Sequence, residues 1–217
     1  MRKRIIALIS FLCYIVCWTQ AADEHYYFKN LSIKDGLSQT TVNAIMQDKK
    51  GFMWFGTKGG LSRYDGMSFR NFKRDMNDNH SLGNNFVTCL YEDNKGNIWV
   101  GTDAGMYIYY SDREIFVPFN LLSRENTKID RTVSAISGDK EGRVWIAVET
   151  QGLFCYEPQE EQLHNYTLNS FSANVQSVTS DNSGTIWVGF YGSGLFYSKD
   201  NLKTLHPYLS PKNGEEV

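Results

Sequence analysis

The sequence predicts an all-β protein of β-propeller blades: four four-stranded units plus one extra N-terminal strand, forming an incomplete arc of a larger ring. Three observations carry this. An Asp-x-x-Gly-x-x-Trp run occurs at Asp48–Trp54, Asp93–Trp99, Asp139–Trp145 and Asp181–Trp187. The tryptophans are spaced by 45, 46 and 42 residues, a period that marks a radial repeat. Each run sits among short alternating segments, and four short strands per period of about 45 residues is the arithmetic of a propeller blade.

The chain opens on Arg2, Lys3 and Arg4, followed by a 14-residue apolar run, Ile5 to Trp18, and the small residues of Thr19–Ala22. As a helix that run spans only about 21 Å, short of the roughly 30 Å hydrocarbon core of a bilayer. Residues 1–22 are therefore expected to be an export signal peptide and residues 23–217 a partial propeller.

Within 23–217 the blades are expected at about 42–72, 87–119, 133–166 and 175–209, with an outer strand at Tyr26–Leu31 before them. First strands are expected at Val42–Gln47, Val87–Glu92, Val133–Gly138 and Val175–Ser180. Each begins with Val and carries Ala44, Cys89, Ala135 or Ser177, small residues that suit the crowded strand nearest the axis. The Asp-x-x-Gly turn follows, where Asp bonds its own backbone and Gly takes positive φ.

Second strands carry the tryptophans, at Phe52–Gly56, Asn97–Gly101, Arg143–Ala147 and Thr185–Gly189. Third strands begin at Leu61, Met106, Leu153 and Leu195. Fourth strands hold Phe69 and Phe72, Phe116 and Phe119, His164 and Tyr166, and, at Leu205–Leu209, His206 and Tyr208. The tryptophans are expected to fill the space between blades. Seventeen strands do not tile four blades. Val217 also lies 42 positions after Val175, where a fifth unit would open, so the arc is expected to be truncated.

Charge and chemistry narrow the function. Beyond residue 22 the chain carries 19 basic and 24 acidic side chains, a balance that argues against non-specific nucleic-acid binding. Cys89 and Cys155 remain after the signal, too few for a disulfide framework. The four repeat aspartates lie one per blade, too far apart for a calcium cage or a glycosidase pair. His25, His80, His164 and His206 have no metal-ligand spacing. No catalytic, metal or cofactor residue is expected. Recognition is expected on the rim opposite the Asp turns, where Lys58, Glu149 and Tyr191 form the candidate ligand contact beside the loops Lys73–Asn85 and Arg124–Arg131. Aromatic faces stack on sugar rings, so the contact expected there is with an oligosaccharide ligand or with a partner.

The run Asp35-Gly36-Leu37-Ser38-Gln39 with Val42, then Gln47-Asp48, Gly51-Phe52, Trp54, Gly56-Thr57 and Gly60-Leu61 with Arg63-Tyr64-Asp65-Gly66, resembles two-component regulator propeller repeats. Ser81-Leu82, Val87, Glu92-Asp93, Trp99 and Gly101-Thr102 resemble the second unit of that family. The third and fourth units depart from the pattern at Ala147-Val148, at Phe190-Tyr191 and at Ser198. The resemblance implies the N-terminal periplasmic sensor region of a hybrid two-component system, part of a seven-bladed propeller. It implies a carbohydrate signal, control of polysaccharide-utilisation genes, and a homodimeric parent receptor with a histidine kinase. Membrane contact would come only through the remainder of that receptor, and this segment would contact no nucleic acid. An exported propeller enzyme acting on a glycan, as lyase or hydrolase, and a non-catalytic scaffold or adhesion propeller are the alternative classes.

Overall fold

The computed structural model describes residues 27–121, 128–166 and 174–208. The chain divides into Met1–Asn30 and Leu31–Val217, and the propeller is the second of these units. The expected signal at 1–22 lies outside the described residues.

Four antiparallel meanders make the four sheets. Blade 1 is β1 (Val42–Gln47), β2 (Met53–Thr57), β3 (Gly60–Tyr64) and β4 (Phe69–Phe72). Blade 2 is β5 (Val87–Glu92), β6 (Ile98–Thr102), β7 (Gly105–Tyr110) and β8 (Ile115–Pro118). Blade 3 is β9 (Val133–Gly138), β10 (Val144–Val148), β11 (Gly152–Glu157) and β12 (Gln162–Tyr166). Blade 4 is β13 (Val175–Ser180), β14 (Ile186–Phe190), β15 (Gly194–Ser198) and β16 (His206–Pro207). First strands pack in sequence order, β1 on β5, β5 on β9 and β9 on β13, in an open, unclosed arrangement.

Several expected boundaries shift for a physical reason. Each second strand starts one residue late because the preceding residue closes the Asp turn instead of joining the ladder. The Asp48 N–H donates to the Phe52 carbonyl, and Asp93, Asp139 and Asp181 do the same to Asn97, Arg143 and Thr185. Each third strand starts one residue early, on Gly60, Gly105, Gly152 or Gly194, all at positive φ. Phe119 belongs not to β8 but to a 3-10 turn, Phe119–Leu121, where its ring packs on Trp99 and Tyr156.

The expected N-terminal outer strand is corrected. Residue 26 lies outside the described residues, and residues 27–31 form no strand. Tyr27 and Phe28 are exposed. The outer strand of blade 4 shrinks to His206–Pro207; Leu209, the expected end, is not among the described residues.

The core lies between blades. Trp54, Leu61 and Phe72 of blade 1 pack with Val87, Val100, Tyr109 and Phe116 of blade 2. Trp99, Met106 and Ile108 meet Val133, Ile146, Phe154 and Tyr156. Trp145, Leu153 and Cys155 meet Val175, Val178, Ile186 and Val188. The small residues have the expected place: Ala44, Cys89, Ala135 and Ser177 pair across the ladder with Gly56, Gly101, Ala147 and Gly189. A Cβ on Gly56 would collide with the Val87 side chain at 2.6 Å. The leading Val of blades 2 and 3 thus seats on the small ladder residues of the blade before it.

Between these residues every first strand carries a β-bulge, at Val42/Ala44, Val87/Cys89, Val133/Ala135 and Val175/Ser177. A bulge re-aims a side chain. Here it turns Asn43 Nδ2 onto the Val87 carbonyl at 2.8 Å, Thr88 Oγ1 onto the Val133 carbonyl at 2.6 Å and Ser134 Oγ onto the Val175 carbonyl at 2.7 Å. Three different side chains make one repeated blade-to-blade bond.

Candidate functional site

The Asp turns form one rim. In each, Asp Oδ1 accepts two backbone N–H groups, from the residues two and four positions on. For Asp48 these are Lys50 at 3.0 Å and Phe52 at 2.9 Å, and for Asp139 they are Glu141 at 3.0 Å and Arg143 at 2.9 Å. Oδ2 accepts the indole N–H of the tryptophan six residues on, at 2.8 Å for Trp54, 3.1 Å for Trp99, 2.8 Å for Trp145 and 3.0 Å for Trp187. In blade 3 the Arg143 guanidinium adds an ion pair to Asp139 at 2.7 Å.

The constant six-residue spacing of an acceptor and an N–H donor carried this signal in the sequence, which the turn reading alone missed. These carboxylates are committed to structure. The Ser183 hydroxyl and the Trp187 indole hold the Asp181 carboxyl well below the usual carboxylate range. Among the described residues, no three His, Cys, Asp or Glu side chains gather as a metal site requires. Cys89 and Cys155 are free thiols, and burial pushes each up to about 12.

The opposite rim carries the turns between second and third strands. Lys58, Asp103, Glu149 and Tyr191 occupy the same position in the four blades. Each donates its backbone N–H to the carbonyl that leads into its own first strand, those of Thr41, Phe86, Thr132 and Asn174. Equivalence of position disperses the expected contact: Lys58, Glu149 and Tyr191 come one per blade, and the whole of blade 2 separates Lys58 from Glu149. The Lys58 ammonium lies over the Phe86 ring, 5.2 Å from its centre. Glu149 lines a cleft of about 420 Å³ with Asp103, Asp130, Arg131 and Thr132. Tyr191 is 71% exposed and lines neither described cleft.

The loop Lys73–Asn85 is tied down by its own bonds. Ser81 Oγ accepts from the Asp75 N–H at 2.9 Å, and the Phe116 N–H reaches the His80 carbonyl at 2.9 Å. Of the loop Arg124–Arg131, residues 124–127 lie outside the described residues.

A larger cleft, about 640 Å³, opens on the Asp-turn rim between blades 2 and 3. Trp99 and Tyr156 line its base, Tyr91 and Tyr110 its walls, and Lys140 and Glu157 are among its polar residues. Burial raises the phenol pKa of both Tyr91 and Tyr110 above the ordinary value, so both hydroxyls keep their protons near neutral pH. Sequence reasoning placed recognition on the other rim and did not find this cleft.

Residues 36–59 and 81–104 match the model described as "Two component regulator propeller". A 77-residue stretch, 36% of this chain, is 36% identical to histidine kinase P4 of Formosa agariphila, covering 5% of that protein. Among solved structures, the extracellular domain of a protein assigned as a hybrid two component system of B. thetaiotaomicron aligns with a TM-score of 0.75 at 24% identity, over 87% of this chain and 27% of that one. A second extracellular domain from that organism, assigned as a one component system, gives 0.71 at 22% identity, over 85% and 27%. Virginiamycin B lyase of Staphylococcus aureus gives 0.64 at 13% identity, over 84% and 59%. At these identities the structural likenesses establish the propeller fold. The chain spans about a quarter of the two extracellular domains.

Proposed function

We propose that this chain is an extracytoplasmic, non-catalytic ligand-sensing module of a hybrid two-component receptor, and that it responds to a carbohydrate and so governs genes for polysaccharide use. The observation that carries the reading is the repeat itself. The two segments that match the regulator propeller are the lead-in, Asp turn, Trp strand and following turn of blades 1 and 2, the parts that build the blade-to-blade contact. The histidine kinase similarity and the fold shared with extracellular sensor domains support the receptor setting. The Asp–Trp bonds favour sensing over catalysis, because they use the repeat's carboxylates as scaffold.

In this reading the export signal delivers the propeller outside the cytoplasm. The ligand then biases the geometry of a homodimeric receptor, which requires different affinity for two receptor states. Deleting the parent gene and sequencing transcripts during growth on individual polysaccharides tests it. Loss of induction of one glycan-responsive gene set is expected; unchanged induction on every glycan overturns the proposal.

A further inference from the structure

The 640 Å³ cleft lies at a blade junction that lacks, among the described residues, the hydrogen-bonded staple of its two neighbours. The residue before the repeat Asp is Gln47, Glu92, Gly138 or Ser180 in the four blades. Between blades 1 and 2, Glu92 Oε2 accepts the Lys49 N–H at 2.9 Å, and Lys49 Nζ reaches the Asp93 carbonyl at 2.9 Å. Between blades 3 and 4, Ser180 Oγ donates to the Gly138 carbonyl at 2.8 Å.

Between blades 2 and 3 the corresponding residue is Gly138, which has no side chain to offer. A Cβ there would overlap the Tyr91 hydroxyl, so blade 2's tyrosine occupies the space a staple would need. Asn94, at the position of Lys49, makes no hydrogen bond to blade 3 among the described residues. Residues of both Asp turns, Asn94 and Gly142 among them, line the cleft.

Its lining selects a ligand class. The volume falls in the range of small-molecule sites, about 300–1,000 Å³. Tyr91 and Tyr110 are half-buried rings in its lining, which also holds Asn94, Lys95 and Glu157 as donors and acceptors. Arg143 is already held by Asp139 at 2.7 Å, Glu141 at 3.4 Å and Asn201 at 3.0 Å. The carboxylates of the lining outnumber its cations, and Arg143 is already paired, so the cleft disfavours an acidic ligand. Aromatic walls with mixed donors and acceptors suit a ring with one apolar face and many hydroxyls.

We infer that the cleft between blades 2 and 3 binds a short neutral oligosaccharide. This inference rests on the carbohydrate-sensing reading and moves the contact to the rim opposite Lys58, Glu149 and Tyr191. The sugar's apolar face lies against Tyr91 and Tyr110, while Asn94, Lys95 and Glu157 take its hydroxyls. A bound sugar would bridge the two turns that the protein itself leaves unbridged.

Titration calorimetry on the full chain, with cellotriose, maltotriose, xylotriose, mannotriose and chitotriose as probes, tests the inference. The Asn94→Ala/Glu157→Ala double variant is the main comparison and Tyr191→Ala its counterpart, with far-UV circular dichroism to verify folding. Binding of at least one probe is expected, weakened about tenfold or more by the double variant and by less than about twofold by Tyr191→Ala. Equal affinity in the double variant, or loss only with Tyr191→Ala, overturns the cleft assignment and leaves the sensing proposal standing. If no neutral probe binds while glycan induction through the parent gene persists, the ligand class falls. Loss of both binding and induction sinks the sensing proposal with it.

Discussion

Trp145 in blade 3 and Trp187 in blade 4 make the same local bond and have different fates. Each donates its indole N–H to the aspartate six residues before it, at 2.8 Å and 3.0 Å. Trp145 is fully buried against blade 4, whereas Trp187 is half-buried and packs on Tyr197 and Tyr208 of its own blade. The bulge residue follows the same pattern: Ser134 donates to blade 4, while Gln176 at the same position of blade 4 is exposed. The turn and its Asp–Trp bond are thus written within a single repeat. The burial that stabilises them is supplied by the blade that follows.

The comparison breaks most decisively at the tryptophans. Trp145→Ala should cost about 3–5 kcal/mol, the range for emptying a buried aromatic site, and Trp187→Ala less than half of that, both read from urea unfolding midpoints. Equal losses would mean that the Asp bond, not the neighbouring blade, provides the stability.

Next come the aspartates. Asp139→Asn removes the charge that faces Arg143 and Trp145 in a buried turn and should cost about 2–3 kcal/mol; hydrogen bonds to charged groups are worth about 1.5–3 kcal/mol. Asp181→Asn, at an exposed turn, should cost less in the same unfolding assay. A smaller contrast separates the bulge residues: Ser134→Ala should lose about 1 kcal/mol, and Gln176→Ala should stay within about 0.5 kcal/mol, as exposed positions do.

Acid should weaken the turns of blade 4. Asp181 and Asp200 are held below their ordinary carboxylate value of 3.8 by hydroxyl, backbone and, for Asp181, indole donors. A lowered folded-state pKa gives stability that is present above the unfolded value and lost as pH falls through the folded one. The melting temperature should therefore decline below about pH 4, and less steeply in Asp181→Asn; an identical acid slope in that variant would exclude its turn as a source. The finest test is chemical. Burial pushes the Cys89 and Cys155 thiols up to about 12, so both should resist alkylation at pH 8 until the chain unfolds, because the thiolate is the reactive form. Mass spectrometry of iodoacetamide adducts, with and without urea, reads this directly.

The scaffold was legible because its rules repeat. The Trp period, the leading Val and the small residues Ala44, Cys89, Ala135 and Ser177 each recur four times, and the structure pairs and packs them in that register. The bulge bond was not legible because Asn43, Thr88 and Ser134 share only an ability to donate, and no common side chain marks the position. The site resisted for the opposite reason. Lys58, Glu149 and Tyr191 stood out by their chemistry, yet occupying one equivalent position puts them on separate blades. Gly138 passed as an ordinary end of a strand, although it breaks the staple pattern that Glu92 and Ser180 keep at the other junctions.

The bulge donors also give every junction a direction. One blade offers a side-chain donor and the next answers with a valine carbonyl, so the two surfaces that meet are never the same surface. Contacts of this kind are heterologous: they add units head to tail, and closure depends on the rotation per unit. A twofold pairing of two like blade faces would set donor against donor, so blades of this type can be added in one polarity only.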